Sequence, residues 1–406
     1  MSKSTSAQVE NLLSKLDTVY TLRLLEEMIS INSIVGNEGN LAEYLHGELE
    51  ALGIACHQNG RSQKLMVCEM EEVEPGRPNV YARMAGDGPG RRLNFNGHTD
   101  TVPVCEGWET DPFSPVTREG RLYGLGACDM KAGIACIMNV LRAFVESGHA
   151  FEGELSFSGV IDEEAYGKGA KAMLGTDLAE CDAIILAEPY CGDESKPMPL
   201  GITGKVLYDV TVKGHAAHGF RPHLGINAVE EASRIIASLD QLQMRDHPDF
   251  GAGNYSTLKI EGGYQVYSVV VPDRCRFEVN RLLVPGETIA IAMKDMEELV
   301  KSLHLKAEVD VGVKPPQYEP FIVGRDEPII EVFHEVYREV MGVEPVYEYS
   351  RGITDANVFG ERNIPCIHLG PKRGNVHQPN EYVSLEWLEP ISRMYALIAA
   401  QFLEGD

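Results

Sequence analysis

The alternation of strand-like and helix-like segments constrains the fold of this chain more than any other feature. Residues 92–97 and 155–161 have the alternating pattern of strands, and residues 133–147 between them place apolar side chains on one helical stripe. Residues 183–187 (AIILA) form a continuous apolar run, which is typical of a strand buried on both faces. This order predicts an α/β fold with a mostly parallel sheet flanked by helices. Residues 12–29 have apolar side chains at helical spacing and are predicted to form one helix.

The middle of the chain shows a different order of segments. Strand-like runs and amphipathic helices follow one another there as β-α-β-β-α-β, the order of a ferredoxin-like unit, and Pro315-Pro316 marks its exit. After Pro315-Pro316, helix-like and strand-like segments again alternate as they do in the first part of the chain. We therefore predict a main domain of residues 1–204 and 316–406, interrupted by an inserted ferredoxin-like α+β domain of residues 205–315.

The charge balance and the cysteines limit the classes of partner and the location. The chain has 61 acidic and 36 basic side chains and a formal net charge of −25. Because such a surface repels phosphate groups and anionic lipids, we expect neither nucleic-acid nor membrane partners. No apolar run approaches the roughly 20 residues of a membrane-spanning helix, and the first residues lack the apolar core of a signal peptide. The nine cysteines include no C-x-x-C pair, which favours a reducing compartment, so the expected location is the cytoplasm.

Candidate functional residues follow the predicted strands. His98, the acidic trio 162–164 and Glu188 each come directly after an apolar strand. Asp129 follows a glycine-rich loop, and His377 is the best-placed second imidazole. Because the carboxyl ends of strands in an open α/β sheet form the ligand crevice, these side chains are expected to converge. Imidazole and carboxylate groups together suit Zn²⁺, with Co²⁺ or Mn²⁺ as alternatives.

Eight motifs spread along the chain strengthen this interpretation. They are NGHTDTVPV (96–104), GWETDPFSP (107–115), LYGLGACDMKAG (122–133), DEEAYGKGA (162–170), AEP (187–189), GHAAHGFRPHLGINA (214–228), ITDAN (353–357) and VHQPNEY (376–382). As a set they resemble the acetylornithine deacetylase, succinyl-diaminopimelate desuccinylase and glutamate carboxypeptidase family of dinuclear zinc hydrolases. The resemblance covers nearly the whole chain. It implies a zinc-peptidase-like catalytic domain, with the inserted domain acting as a lid and dimerisation domain.

The resemblance implies five ligands for two Zn²⁺ ions in each subunit. Asp129 would bridge both ions. His98 and Glu188 would complete one metal site. Glu164 and His377 would complete the other.

The resemblance also implies which groups assist catalysis. Glu163 would act as the general base and carry a proton from the attacking water to the leaving nitrogen. Asp100 would hydrogen-bond the far nitrogen of His98 and fix its tautomer, although a turn or capping residue is the alternative for Asp100. His218 of the inserted domain would reach a neighbouring subunit's site and stabilise the oxyanion, with His215 as the alternative. A homodimer through the inserted domain is therefore expected.

Three positions depart from the usual motifs of the family. Relatives commonly have an asparagine and an arginine where this chain has Val269 and Leu282, and both usual side chains help to bind a substrate carboxylate. Leu125 replaces a frequent arginine in the glycine-rich loop. A leucine cannot reproduce the bidentate grip of an arginine on a carboxylate. Three basic side chains remain as candidates for that contact, namely Arg281, Arg351 and Lys372.

These observations predict metal-dependent hydrolysis of a linear amide in a small amino-acid derivative. The leading hypothesis is a deacylase of N-acyl amino acids, similar to acetylornithine deacetylase, in which a water activated by the metal ions attacks the amide. A dipeptidase or carboxypeptidase would use the same dinuclear site and is the alternative. A binding or regulatory protein on the same scaffold is a third possibility, and the presence of all five ligand positions and Glu163 argues against it.

Overall fold

The computed structural model describes residues 3–58, 66–266 and 269–405, with the backbone alone for residues 3–6 and 54–58. The chain divides into two compact units. The first comprises Met1–Leu200, Val323–Glu348 and Val358–Asp406, and the second comprises Gly201–Ile322 and Tyr349–Asn357.

The described residues form ten α-helices and nineteen strands. The helices are α1 (Lys3–Leu13), α2 (Thr18–Ser30), α3 (Gly39–Gln58), α4 (Ala132–Ser147), α5 (Lys168–Met173), α6 (Ala228–Ala237), α7 (Ile289–Ser302), α8 (Pro328–Met341), α9 (Ala356–Gly360) and α10 (Leu388–Leu403). The strands are β1 (Val67–Glu74), β2 (Arg77–Ala85), β3 (Arg92–His98), β4 (Val116–Arg118), β5 (Arg121–Tyr123), β6 (Glu154–Val160), β7 (Ala183–Leu186), β8 (Met198–Ile202), β9 (Gly204–Lys213), β10 (Asp246–His247), β11 (Gly251–Ala252), β12 (Asn254–Gly262), β13 (Arg274–Leu283), β14 (Glu308–Val313), β15 (Phe321–Ile322), β16 (Tyr347–Ser350), β17 (Cys366–His368), β18 (Arg373–Gly374) and β19 (Tyr382–Ser384).

The central sheet of the first unit has the strand order β1-β2-β6-β3-β7-β17. β6, β3, β7 and β17 run parallel, whereas β1 and β2 form an antiparallel edge. β7 is buried along its whole length, as its continuous apolar run predicts. Helix α3 packs against β1 and β2, and α4 and α10 pack against β3. The predicted α/β fold with a mostly parallel sheet is therefore confirmed.

The helix predicted over residues 12–29 is two helices, so that prediction was wrong. α1 ends before the break, and Asp17 is the N-cap of α2. The Asp17 carboxylate accepts the N–H groups of Val19 and Tyr20 at 2.9 and 3.2 Å, which satisfies donors that the first helical turn leaves unpaired. Periodicity alone misses the break because the capping residue interrupts the helix without disturbing the spacing of the apolar residues.

A small sheet with the order β18-β19-β5-β4 in the first unit was not predicted from the sequence. Its strands are two or three residues long, which is too short for a periodic pattern. β18 and β19 pair with each other, and β19 also pairs with β5. The connection between β18 and β19 contains His377, and the chain after β5 leads to Asp129. This sheet therefore holds two of the predicted ligand segments next to each other.

The second unit has the predicted β-α-β-β-α-β order, formed by β9, α6, β12, β13, α7 and β14. The sheet order is β12-β13-β9-β14, and all neighbouring strands are antiparallel. Its core is built from the inward side chains of the strands and helices, including Tyr208, Phe277, Ala232 and Met296. This arrangement confirms the predicted ferredoxin-like architecture.

Arg281 lies fully buried in this second unit. Its Nη2 atom lies 2.7 Å from Glu287 Oε1 and 2.9 Å from Asp295 Oδ2, and its Nη1 atom donates to the Tyr208 hydroxyl at 3.3 Å. The Glu287 side chain is also buried, and its second oxygen accepts the Val284 N–H at 3.0 Å. Arg281 is therefore committed to an internal ion-pair network.

Two further findings concern the helices and the cysteines. Among the described segments, no helix combines the length and the apolar character that a bilayer crossing requires. Cys105, Cys128, Cys136, Cys181, Cys191 and Cys275 are free thiols, and all of them except Cys105 are buried.

Candidate metal centre

Three parallel strands bring candidate ligands to one edge of the central sheet. His98 is the last residue of β3. Glu163 and Glu164 lie in the turn after β6, and Glu188 follows two residues after β7. Because β6 and β7 flank β3 in parallel, the three carboxyl ends lie side by side. The convergence that the sequence predicts follows from this topology.

Asp129 lies in the buried segment Ala127–Lys131, between β5 and α4. Its Oδ1 atom is 3.2 Å from Nε2 of His98, and its Oδ2 atom is 3.4 Å from Nε2 of His377. The same His377 nitrogen lies 2.9 Å from Oε1 of Glu164. The two oxygens of one carboxylate therefore face two different imidazoles, which is the arrangement that a carboxylate shared between two cations needs.

Two overlapping groups of side chains have ligand atoms close enough to hold an ion. One group contains His98, Asp129 and Glu164, and the other contains His98, Glu163 and Glu188. Within each group the ligand atoms lie within 4.8 Å of one another. The Glu163 carboxylate therefore lies beside the predicted ligands. From this position it could bind a metal ion or transfer a proton.

The surrounding carboxylates change the pKa values of both imidazoles. Hydrogen bonds to Asp129 and Glu164 raise the pKa of His377 to about 10. Burial acts to lower the pKa of His98, but the hydrogen bond to Asp129 and the charge of Asp100 raise it well above its ordinary value. A site that attracts a proton to each imidazole in this way also attracts divalent cations. The nitrogen and oxygen donors fit Zn²⁺, Co²⁺ or Mn²⁺.

Asp100 is fully buried, and its contacts differ from the expected ones. The His98 Nδ1 atom lies 3.0 Å from the Asp100 carbonyl oxygen and 3.7 Å from its carboxylate. The carbonyl oxygen therefore takes the orienting position that the sequence assigned to the carboxylate. The carboxylate instead accepts the backbone N–H groups of Glu163 and Glu164 at 3.1 and 2.9 Å. Burial raises the pKa of Asp100 to about 6, against the effect of the nearby His98.

Glu381 is a residue of the centre that the sequence analysis missed. Its buried carboxylate accepts the N–H groups of Gly126, Cys128 and Asp129 at 2.9, 3.0 and 3.2 Å. These bonds fix the loop that presents the Asp129 side chain. Burial, together with the charge of Asp129, raises the pKa of Glu381 to about 7. Its membership of the VHQPNEY motif was the available signal, but only His377 was taken from that motif.

The turn that carries Glu163 is anchored by contacts of Asp162 that the sequence analysis did not predict. Asp162 has a left-handed backbone conformation (φ 70°), and its carbonyl accepts the Gly167 N–H at 2.7 Å. Its carboxylate contacts Arg77 Nη2 at 2.8 Å, and Arg77 also binds both oxygens of the buried Glu38. Asp162, the first of the three acidic residues, therefore holds the turn through an ion pair.

His215, His218 and His223 of the second unit are exposed. The backbone of His218 forms an isolated bridge with Val270, and its Nδ1 atom accepts the Phe220 N–H at 3.2 Å. His215 forms a corresponding bridge with Ile226. Their assignment to oxyanion binding stays a prediction.

The basic candidates for binding a substrate carboxylate have other partners. Lys372 forms an ion pair with Asp193 at 2.9 Å. Arg351 donates to the carbonyl oxygens of Phe250 and Ala252 at 2.8 and 2.9 Å. The third candidate, Arg281, belongs to the buried network of the second unit.

Comparison with known sequences gives a consistent family. Residues 94–401 match the peptidase family M20/M25/M40, which is more than half of the chain. Two curated relatives named succinyl-diaminopimelate desuccinylase are each 28% identical to it. The one from Nitrosomonas eutropha aligns over 95% of this chain and 99% of its own length, and the one from Sulfurovum sp. over 78% and 85%.

Solved structures show the same fold. A tripeptidase from Staphylococcus aureus has a TM-score of 0.76 at 21% identity and covers 96% of this chain and 100% of its own. A dinuclear metal binding peptidase of the M20 family from Bacillus subtilis has a TM-score of 0.71 at 16% identity, with 95% and 98% covered. The predicted family resemblance is confirmed. The chain belongs to the peptidase family M20/M25/M40 and is a metal-dependent hydrolase.

Proposed function

We propose that the protein hydrolyses the amide bond of a small N-acyl amino acid and so removes its acyl group. The observation that carries the proposal is the convergence of two imidazoles and four carboxylates at the carboxyl edge of the central sheet. These are His98, His377, Asp129, Glu163, Glu164 and Glu188. The relatives that align with nearly the whole chain are named for removing a succinyl group from diaminopimelate, which is the same type of reaction.

We infer that this centre holds two divalent metal ions, with Zn²⁺ favoured and Co²⁺ or Mn²⁺ as alternatives. Asp129 would bridge them, because each of its oxygens faces a different imidazole. His98 and Glu188 would complete one site, and Glu164 and His377 the other. The Bacillus subtilis neighbour, a dinuclear metal binding peptidase, supports the number of ions. When bound, two such ions polarise the scissile carbonyl and lower the pKa of a water molecule.

Glu163 is the side chain to which we assign proton transfer. Its carboxylate takes a proton from the attacking water and delivers it to the leaving nitrogen, so that the amine departs neutral. The Asp100 carboxylate accepts the backbone N–H groups of Glu163 and Glu164 and therefore fixes the turn on which both side chains lie. Asp100 is thus a positioning residue in this proposal, while its carbonyl oxygen orients the His98 ring.

A matched substrate panel tests this function. Protein stripped of metal and reloaded with Zn²⁺, Co²⁺ or Mn²⁺ would be assayed with N-acyl amino acids and with dipeptides that share the same carboxyl-terminal residue. A higher kcat/KM for the acyl amino acids supports the proposal. A higher kcat/KM for the dipeptides identifies the peptidase alternative, and no hydrolysis with any metal indicates a binding protein on the same scaffold.

We further propose that residues 205–315 form an inserted domain that acts as a lid and joins two subunits in a homodimer. β12 is an edge strand of the sheet in this region, and its Leu258 and Ile260 side chains are 58% and 50% exposed. An open edge with exposed apolar side chains favours pairing with another copy of the chain. Light scattering would measure the mass, and Ile260→Lys should shift a dimer toward monomer. A wild-type monomer at micromolar concentration contradicts the proposal.

We assign His218, rather than His215, as the donor that stabilises the oxyanion in the neighbouring subunit. Subunit complementation tests this role. Mixed dimers of His218→Ala and Glu163→Ala subunits should regain activity, because one site receives an intact Glu163 and an intact partner histidine. If the mixture stays as inactive as its components, His218 does not act across the dimer.

The expected setting is a reducing compartment. Six free thiols support it, namely those of Cys105, Cys128, Cys136, Cys181, Cys191 and Cys275, and we place the enzyme in the cytoplasm on this basis. With a net charge of −25, its partners are small molecules rather than nucleic acid or membranes.

A further inference from the structure

The basic side chains predicted to bind a substrate carboxylate are already engaged by other groups of the protein. The two positions at which relatives commonly carry such a group are Val269 and Leu282 in this chain. Arg281 is buried among its own acidic partners, and the charge of Lys372 is neutralised by Asp193. The third candidate, Arg351, donates to the carbonyl oxygens of Phe250 and Ala252. These contacts favour a different cation for the substrate carboxylate.

Arg373 lies on the inner face of the small sheet beside the metal centre. It stands opposite Val383 in the β18–β19 pair, and Val383 stands opposite Leu122 in β5. Directly opposed residues share one face of a sheet, and both Val383 and Leu122 are fully buried. The Arg373 side chain follows this inward direction, and its guanidinium lies 5.2 Å from the centre of the Tyr190 ring. An uncharged ring supports the guanidinium without neutralising it.

Arg373 lies close to two segments that carry predicted metal ligands. Tyr190, whose ring lies under the Arg373 guanidinium, is two residues after Glu188. The carbonyl oxygen of Gly374, the next residue, is contacted by the Cys128 thiol at 3.9 Å, and Cys128 precedes Asp129. Arg373 is therefore held between the segment of Glu188 and the segment of Asp129.

The local charges favour an anion at this position. Burial lowers the pKa of Lys196, and the positive charge of Arg373 lowers it further. Glu348 is the acidic group near both cations; burial raises its pKa, while Lys196 and Arg373 oppose that effect. Two cations facing one partly buried carboxylate leave an excess positive charge in a strongly acidic protein. A bound carboxylate would relieve the repulsion between Lys196 and Arg373.

We propose that Arg373 binds a carboxylate of the substrate next to the metal centre, and that the enzyme therefore selects N-acyl amino acids by this charge. The inference rests on the proposed function and deepens it. The carboxylate belongs either to the acyl group, as in a succinyl group, or to the amino acid. A planar guanidinium supported by an aromatic ring matches both sources, because it can donate two parallel N–H groups to one carboxylate.

Four compounds built on alanine separate the two sources. N-acetylalanine and N-succinylalanine carry the amino-acid carboxylate, and the corresponding alaninamides lack it. The succinyl compounds carry a carboxylate on the acyl side, and the acetyl compounds do not. N-acetylalaninamide has neither carboxylate and is the internal reference.

The compounds would be used in two measurements on zinc-loaded protein, with and without Arg373→Gln. The first is kcat and KM in the otherwise wild-type enzyme. The second is the Kd by calorimetry in a Glu163→Ala background, where the compounds bind without being hydrolysed. The loss of a charged hydrogen-bond pair should weaken binding by about 10- to 100-fold, with the change in KM rather than kcat. Arg373→Lys should restore part of it, and Arg362→Gln, which removes an exposed charge elsewhere, should change nothing.

The pattern of losses decides the proposal. A loss confined to the succinyl compounds assigns Arg373 to the acyl carboxylate, and a loss confined to the compounds with a free alanine carboxylate assigns it to the amino acid. An equal loss for all four compounds, N-acetylalaninamide included, or no loss for any of them overturns the proposal. If the wild-type enzyme hydrolyses none of them, the proposed deacylase function fails, while the calorimetric pattern still decides the role of Arg373.

Discussion

Replacement of Arg281 by methionine should destabilise the protein without altering its choice of substrate. Arg281 is fully buried and contacts two carboxylates, one of which, Glu287, is equally buried. Methionine has a similar length and retains the packing, but it removes the only charge placed within 3 Å of Glu287 in the described network. The buried Glu287 carboxylate would then be left without its ion-pair partner.

The size of the effect follows from which contacts are lost and which remain. Breaking a buried ion pair by removing one partner costs about 3–5 kcal/mol, because the remaining charge stays buried. Glu287 retains the hydrogen bond from the Val284 N–H, and Asp295, which is 27% exposed, can be hydrated. We therefore expect the lower part of this range, about 3 kcal/mol in the free energy of unfolding. Such a loss is a large share of the roughly 5–15 kcal/mol that stabilises a typical domain.

Urea unfolding followed by circular dichroism would measure the loss, and KM would be measured on the folded variant. The double variant Arg281→Met/Glu287→Gln should recover about 1–3 kcal/mol relative to Arg281→Met alone, because it also removes the stranded charge. Arg276→Met is the control, since Arg276 pairs with Asp209 at a partly exposed position of the same strand. If Arg281→Met leaves the unfolding midpoint unchanged and raises the KM for substrates bearing a carboxylate, the reasoning is refuted. Arg281 would then be a residue that binds the substrate.

Three further predictions concern the metal centre and the core. Glu163→Ala should keep both metal ions but lose turnover by about 10²- to 10⁴-fold, whereas His98→Ala should lose metal. Elemental analysis of both variants beside their rates checks this, and full activity of Glu163→Ala contradicts it. Glu381→Gln turns an amide donor toward the Gly126 N–H and should weaken zinc affinity by about 10- to 100-fold, as measured by competition with a chelator. An unchanged affinity would show that the loop keeps its shape without the carboxylate. Burial lowers the pKa of His368 from 6.5 to about 3. Between these values the unfolded chain binds the additional proton, so stability should fall as the pH drops from 6.5 toward 3. His368→Gln should reduce the pH dependence of the free energy of unfolding by the equivalent of up to one proton. Urea unfolding at several pH values measures this dependence, and an equal dependence in both proteins excludes His368 as the cause.

The main sheet could be predicted because its strands are long or uniformly apolar. The run at residues 183–187 became β7, and the alternating runs at residues 92–97 and 155–161 became β3 and β6. The small sheet of β18, β19, β5 and β4 could not be predicted, since pairing over two or three residues depends on contacts between distant segments. The break at Asp17 was missed for a local reason, because one capping side chain outweighed a continuous apolar pattern.

The candidate ligands were predicted from their order along the chain, but their supporting contacts were not. Strand ends indicated where His98 and Glu188 converge, and the parallel topology accounts for this agreement. The use of the Asp100 carbonyl for His98 and of its carboxylate for the Glu163 turn depends on the exact path of the backbone. Glu381 was missed for the same reason, because its partners are backbone N–H groups that carry no signature in the sequence.

The contact between Glu381 and the Asp129 loop joins residues 252 positions apart in the chain. During synthesis, β3, β6 and β7 leave the ribosome long before the hairpin that contains His377 and Glu381. A nascent chain at that stage contains His98 and the acidic ligand candidates, but it lacks the Glu381 carboxylate that holds the Asp129 loop. Metal capture at the proposed centre would therefore wait until translation is nearly complete. A protein shortened by its last thirty or so residues would lose His377 and Glu381, and also α10, which packs against α4 and β3.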